Sequence, residues 1–151
     1  MTLRPAEDIP VGQEIDCGSY QLTEPEIIGF ATAWDPQYFH IDPQRAARSE
    51  FGGLIASGVH TLAIYQRLAA DGFYQDYDVI AGRTLEQVRF LRPVRAGDVL
   101  TCSITVRSVE PDRPGRSRVL IDGRLRNQAG KEVFELEVDC LMRSRDDRRS
   151  V

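Results

Sequence analysis

FATAWDPQYFHIDPQRAARSEFGGLIASGVHT, residues 30–61, is the stretch on which the reading of this chain turns. It holds an acid, Asp35, and an imidazole, His40, five residues apart and set among Trp34, Tyr38 and Phe39. Pro36 disfavours helical geometry for the residue before it, so Asp35 is expected at a helix-to-loop junction. Asp42-Pro43 reads as a second helix start, with the aspartate as cap and the proline at the first helical position. That helix is short, running to about Arg48. Gly52-Gly53 marks a loop through Ser57, and a long helix is expected from Gly58 to about Ala70, with Gly72 as its stop. On that helix Val59, Leu62, Ala63, Gln66, Ala69 and Ala70 lie near one face. Ile64, Tyr65 and Leu68 widen the apolar surface, so the helix needs something that wraps it.

Upstream, Gln13 to Leu22 suits a short strand. Thr23-Glu24-Pro25-Glu26 is a helix start of the capping-box type. Ile27, Ile28, Phe30, Ala31 and Trp34 then mark one helical face. Downstream the period changes to two. Strands are expected at Val79–Ala81, Thr84–Leu91, Val99–Val109, Arg118–Arg126 and Glu132–Met142, with a loop at Glu110–Arg116 and a hairpin turn at Asn127–Lys131. In the last strand Phe134, Leu136, Val138, Cys140 and Met142 alternate with charged residues, as in an antiparallel sheet with one buried face. Helices followed by an antiparallel meander make an α+β class, and a curled sheet around the Gly58–Ala70 helix would bury both apolar faces. No repeat or linker divides residues 1–151, which read as a single domain ending in a charged tail, 144–151, expected to be disordered.

The chain has 151 residues and a formal net charge of -4. A nucleic-acid partner would favour a basic protein, so none is expected. Three widely spaced cysteines, Cys17, Cys102 and Cys140, lack metal or redox spacing and read as isolated buried thiols of a reducing compartment. No apolar run approaches a membrane span, and the N-terminus has no apolar signal region. A cytoplasmic protein with no membrane attachment is expected. No His/Cys/Asp cluster has metal spacing, and the Gly52-Gly53 pair lacks the pattern of a phosphate loop.

Asp35 and His40 could share general acid–base work, because histidine titrates near neutral pH. From spacing alone the blander alternative is stronger: a histidine bonded to a loop carbonyl and an aspartate capping a turn. Gly58 opens a helix, where unpaired backbone N–H groups and the helix dipole can hold a developing oxyanion. Ser57 is explained by capping the same helix, and His60 reads as a packing or surface residue.

The stretch resembles the hydratase signature of the MaoC-like dehydratases, the (R)-specific enoyl-CoA hydratases, whose pattern is roughly D-x-N-P-[LIV]-H-x-D-P. Here it reads Asp35-Pro36-Gln37-Tyr38-Phe39-His40-Ile41-Asp42-Pro43. A second motif, F-x-x-P-V-x-x-G-D, is similar to Phe90-Leu91-Arg92-Pro93-Val94-Arg95-Ala96-Gly97-Asp98. The likeness covers roughly residues 10–143. It implies the hotdog fold, a long helix wrapped by a curved antiparallel sheet. It implies Asp35 and His40 as the catalytic pair and the Gly58 N–H as oxyanion donor in hydration of a 2-enoyl-CoA to the (R)-3-hydroxyacyl-CoA, or the reverse. Which of the two side chains takes the proton from water stays open. No cofactor is implied beyond the coenzyme A of the substrate, and a homodimer or higher homo-oligomer is expected. Ser57, Tyr38, Ile64, Gln66, Arg89 and Arg92 are weaker substrate-binding candidates, with Arg95 beside the last two. Gln37, Tyr38 and Ser57 depart from the family's asparagine, proline and histidine. The alternatives are an acyl-thioester-binding hotdog protein without catalysis and an acyl-CoA thioesterase.

Overall fold

A computed structural model of the chain describes residues 2–145. Strand β1 (Glu14–Gln21) is followed by four helices: α1 (Glu24–Trp34), α2 (Tyr38–Ile41), α3 (Pro43–Ala47) and α4 (Gly58–Gly72). Then come β2 (Val79–Phe90), β3 (Val99–Arg113), β4 (Arg116–Arg126) and β5 (Glu132–Arg143). All five strands join one antiparallel sheet in the order β1-β3-β4-β5-β2. The chain therefore leaves one edge after β1 and re-enters at the other with β2. Helix α4 lies between those strands in sequence and packs on β1, β3 and β4. This is the hotdog arrangement.

The wrapped helix presents a different face from the one the sequence suggested. His60, Thr61, Ile64, Tyr65, Leu68 and Ala69 are buried, whereas Val59 is 55% exposed and Ala63 and Gln66 stand in solvent. The helix is apolar on both sides, so composition alone did not say which side the sheet covers. Gly72 continues the helix and is not its stop: a Cβ there would lie 2.5 Å from the Cys17 Cα. The last turn of α4 thus rests on the backbone of β1 because no side chain intervenes. Tyr65, Phe134, Leu100, Ile104, Ile121 and Leu125 fill the space between helix and sheet. Burial of each such side chain stabilises by about 1.5–3 kcal/mol.

Other local expectations change at the edges. Trp34 is 74% exposed, because α1 buries only Ile27 and Ala31 and its last turn runs past the surface it packs on. The two short strands around residue 80 are one strand, β2, with register shifts at Val79/Ala81, Gly82/Thr84 and Glu86/Arg89. The expected loop at 110–116 is mostly ladder, since β3 and β4 pair out to Arg113 and Arg116. Strand β5 buries both of its faces in part: Val133, Leu141 and the ion-paired Asp139 are buried beside the alternating set. In the expected tail, the Ser144 N–H donates to the Gly115 carbonyl at 3.0 Å and the Arg145 N–H to Glu7 Oε2 at 3.0 Å. Residues 146–151 of that tail lie outside the described residues. The three cysteines are free and buried, and the Cys17 thiol is turned toward the Ile15 carbonyl at 3.8 Å. Among the described residues no helix is long and apolar enough to cross a membrane.

One buried polar atom carries a stability prediction. The Tyr65 hydroxyl has no hydrogen-bond partner, and burial holds it well above the usual phenol range. A buried unsatisfied hydroxyl costs about 1–3 kcal/mol. Tyr65→Phe is therefore expected to leave the Tm unchanged or to raise it; a clear fall in thermal denaturation would show that this hydroxyl is satisfied in solution.

Candidate active site

The 35–61 stretch folds into three short pieces that meet at one point. Helix α1 ends at Asp35, whose N–H donates to the Ala31 carbonyl at 2.8 Å while its ψ of 70° turns the chain out of the helix. Helix α2 then carries His40 inward, 4% exposed. Asp42 accepts at 3.1 Å from the N–H groups of both Gln44 and Arg45, capping α3 as the sequence suggests. The chain returns through an extended segment whose Ile55 N–H donates to the Phe39 carbonyl at 3.0 Å.

The second motif clamps this segment from the other side. The Ala56 N–H donates to the Val94 carbonyl at 2.8 Å, and the Arg95 guanidinium donates to the Phe51 carbonyl at 2.5 Å. Asp98 fixes the intervening turn by accepting from the Arg95 N–H at 2.8 Å. The Gly97 N–H donates to the Leu22 carbonyl at 2.8 Å. Two motifs far apart in sequence are thus halves of one hydrogen-bonded frame around the start of α4.

Inside the frame, His40 Nε2 lies 3.4 Å from Asp35 Oδ2. His40 Nδ1 is 2.7 Å from the Ile55 carbonyl oxygen. A carbonyl only accepts, so Nδ1 carries a hydrogen, and in the neutral ring Nε2 presents a lone pair toward Asp35. Both Asp35 oxygens are held: Ser57 Oγ donates to Oδ2 at 2.7 Å and Gln37 Nε2 to Oδ1 at 2.7 Å. The Ser57 bond first, and the Gln37 bond second, keep this carboxyl below the usual aspartate range against the opposing effect of burial. The loop-carbonyl bond that the sequence allowed is present on Nδ1, and Nε2 is left facing the Asp35 carboxylate.

Asp35, Gln37, His40 and Gly58 line a common cavity of about 470 Å³. Its apolar walls include Phe51, Ile55, Phe90, Val94 and Val133. As the first residue of α4, Gly58 has an N–H with no partner within the helix. A Cβ on Gly58 would lie 2.8 Å from Phe90 Cζ, so a larger residue would push that ring. Among the weaker candidates only Arg92 lines the cavity; its guanidinium donates to the Glu132 carbonyl at 2.6 Å. Ser57 stands behind the cavity, fully buried. Tyr38 lies under the Arg45 guanidinium, 4.5 Å from its ring centre. Ile64 belongs to the core. Gln66 and Arg89 line two other hollows, Arg89 beside Glu135 at 3.8 Å. His60 is buried and stacked on Phe30 with ring centres 4.5 Å apart, and burial pushes its pKa down. Phe90, Thr61 and Val133 were not singled out from the sequence. Phe90 opens the second motif; Thr61 and Val133 carried no signal beyond apolar or small character. No group of three or more His, Cys, Asp or Glu that could hold a metal occurs among the described residues.

A family model for the MaoC like domain matches residues 7–122. The chain belongs to the MaoC-like dehydratase family. It is 34% identical over 138 residues to the Bacillus subtilis protein YdeM, across 91% of this chain and 97% of that one. It is 37% identical over 95 residues to 3-hydroxyacyl-thioester dehydratase Z of Mycobacterium tuberculosis, across 59% of this chain and 60% of the dehydratase. The crystal structure of a MaoC-like dehydratase from Rhodospirillum rubrum is similar at a TM-score of 0.85 and 35% identity, covering 94% of this chain and 98% of that one.

Proposed function

We propose that this protein hydrates 2-enoyl thioesters to (R)-3-hydroxyacyl thioesters, or catalyses the reverse dehydration, with coenzyme A as the thiol. The observation that carries the reading is the shared cavity of Asp35, His40 and Gly58, with Asp35 Oδ2 and His40 Nε2 3.4 Å apart. A water seated beside both atoms, on the cavity side, donates one hydrogen to each. His40 Nε2 takes one proton, the water oxygen bonds to C3, and the double-bond electrons move through C2 onto the thioester oxygen. The Gly58 N–H and the positive end of α4 stabilise that charge. The enolate then collapses and C2 receives the proton from the pair, so that one water is added and nothing is left over. Asp35 remains a carboxylate throughout, orienting the water and offsetting the charge of the imidazolium.

Gln37 and Ser57, which depart from the family pattern, both donate to Asp35, which supports retained chemistry over a binding protein that has lost it. Arg92, at the cavity wall, is the residue we assign to the coenzyme's phosphates. The dimer belongs to the same reading: β2 is an edge strand that exposes Val79, Ile80, Leu85 and Phe90 by 38–56%. Apolar edge strands of this kind are covered in stable proteins.

The test follows the ultraviolet absorbance of conjugated enoyl thioesters of several chain lengths, with free thiol measured in parallel and the molar mass determined by light scattering. Loss of conjugation without thiol release from a dimer is expected. Thiol release would favour a thioesterase, tight binding without turnover a binding protein, and a monomer in solution would remove the dimer.

A further inference from the structure

We propose that Ser57 is a positioning residue that ties the acid–base pair to the oxyanion donor, so that one buried hydroxyl sets both halves of the site. The inference rests on the hydratase reading above. Ser57 is 0% exposed, and its hydroxyl both donates and accepts. One lone pair accepts from the Val59 N–H at 3.2 Å, capping α4. Its single proton goes to Asp35 Oδ2 at 2.7 Å, because a carboxylate has only acceptors to offer. The Ser57 carbonyl is held in turn by the Thr61 N–H at 3.0 Å and the Thr61 hydroxyl at 3.3 Å. The side chain cannot rotate without breaking the cap, and it cannot shift without carrying the first turn of α4.

The oxygen that Ser57 holds is the one that faces His40 Nε2 at 3.4 Å. Gln37, which is exposed, holds the other. The residue after Ser57 is Gly58. From the carboxylate oxygen that orients the water to the N–H that meets the thioester oxygen, the path is one hydrogen bond and one residue. Capping alone would require only an acceptor at this position. The directed proton is what the pair gains, and it fixes where attacking water and polarised carbonyl stand relative to each other.

Three variants separate this role from capping. Ser57→Ala removes both bonds, Ser57→Cys keeps the size but is a weak donor and acceptor, and Ser57→Thr keeps both. A misplacement of this kind is expected to lower kcat by about 10- to 100-fold in the Ala and Cys variants. KM should change by less than about threefold, since the lost interaction acts on the transition state, and the Thr variant should recover most of the rate. The Asp35 carboxyl, followed by ¹³C NMR, is expected to titrate below the ordinary aspartate range in the natural protein and to move up toward it in the Ala and Cys variants. That titration needs no turnover. If it responds to Ser57 while no enoyl thioester is hydrated, the tie to Asp35 stands and the hydratase reading fails. An ordinary Asp35 titration in the natural protein overturns the proposal, and so does a folded Ala or Cys variant with unchanged kcat and titration.

Discussion

Asp35→Asn and His40→Gln are each expected to lower kcat by about a hundredfold or more, the scale of losing a general acid or base. Asparagine keeps an oxygen for the Ser57 hydroxyl but has no charge to offset an imidazolium. It also places an NH₂ where the water donates. Glutamine at 40 can reach the Ile55 carbonyl but offers no nitrogen lone pair. Because the proposed mechanism has both side chains acting on one water, the double variant should be little worse than either single one, as for residues that work as a unit. Folding should change little, since Asp35 is partly open to solvent, with 21% of its side chain exposed. Circular dichroism and thermal melts check that point. Wild-type turnover in either folded variant would return the pair to a structural role.

Phe134→Ala is expected to remove about 3–5 kcal/mol of stability, the usual range for deleting a buried aromatic ring. Phe134 is fully buried. Its ring centre lies 5.7 Å from that of Tyr65 on the wrapped helix and 5.7 Å from that of Phe90 on the edge strand. From β5 it therefore reaches two other parts of the fold: α4, and the edge strand whose last residue covers Gly58. Urea unfolding with an unchanged m-value would report the loss as stability alone. A loss under about 1 kcal/mol would mean that the core closes over the cavity, contrary to the rigid packing expected here.

The two motifs were legible because each obeys local rules. Proline positions, an aspartate cap and a glycine turn are written into adjacent residues, and the structure places all of them as those rules require. The resemblance then supplied the register between motifs, which no local rule could give. The buried face of α4 was not legible, because a helix flanked by apolar residues on both sides does not say which side meets the sheet. The exposure of Trp34 was hidden for a related reason: periodicity does not record where a helix outruns its support. Ser57 and Gln37 looked like departures from a pattern. Their bonds to Asp35 depend on a contact between residues 22 positions apart in one case and on the turn at Pro36 in the other. Val133 lies next to Phe134 at the start of β5 and is buried as well, which strict alternation does not foresee.

The most direct test of the proposed chemistry is the product formed from crotonyl-CoA, resolved by chiral chromatography. A single (R)-3-hydroxybutyryl-CoA, formed without free thiol and lost in the Asp35 and His40 variants, is the expected result. A racemic or (S) product, free crotonate with released coenzyme A, or unchanged substrate with a folded protein would contradict it.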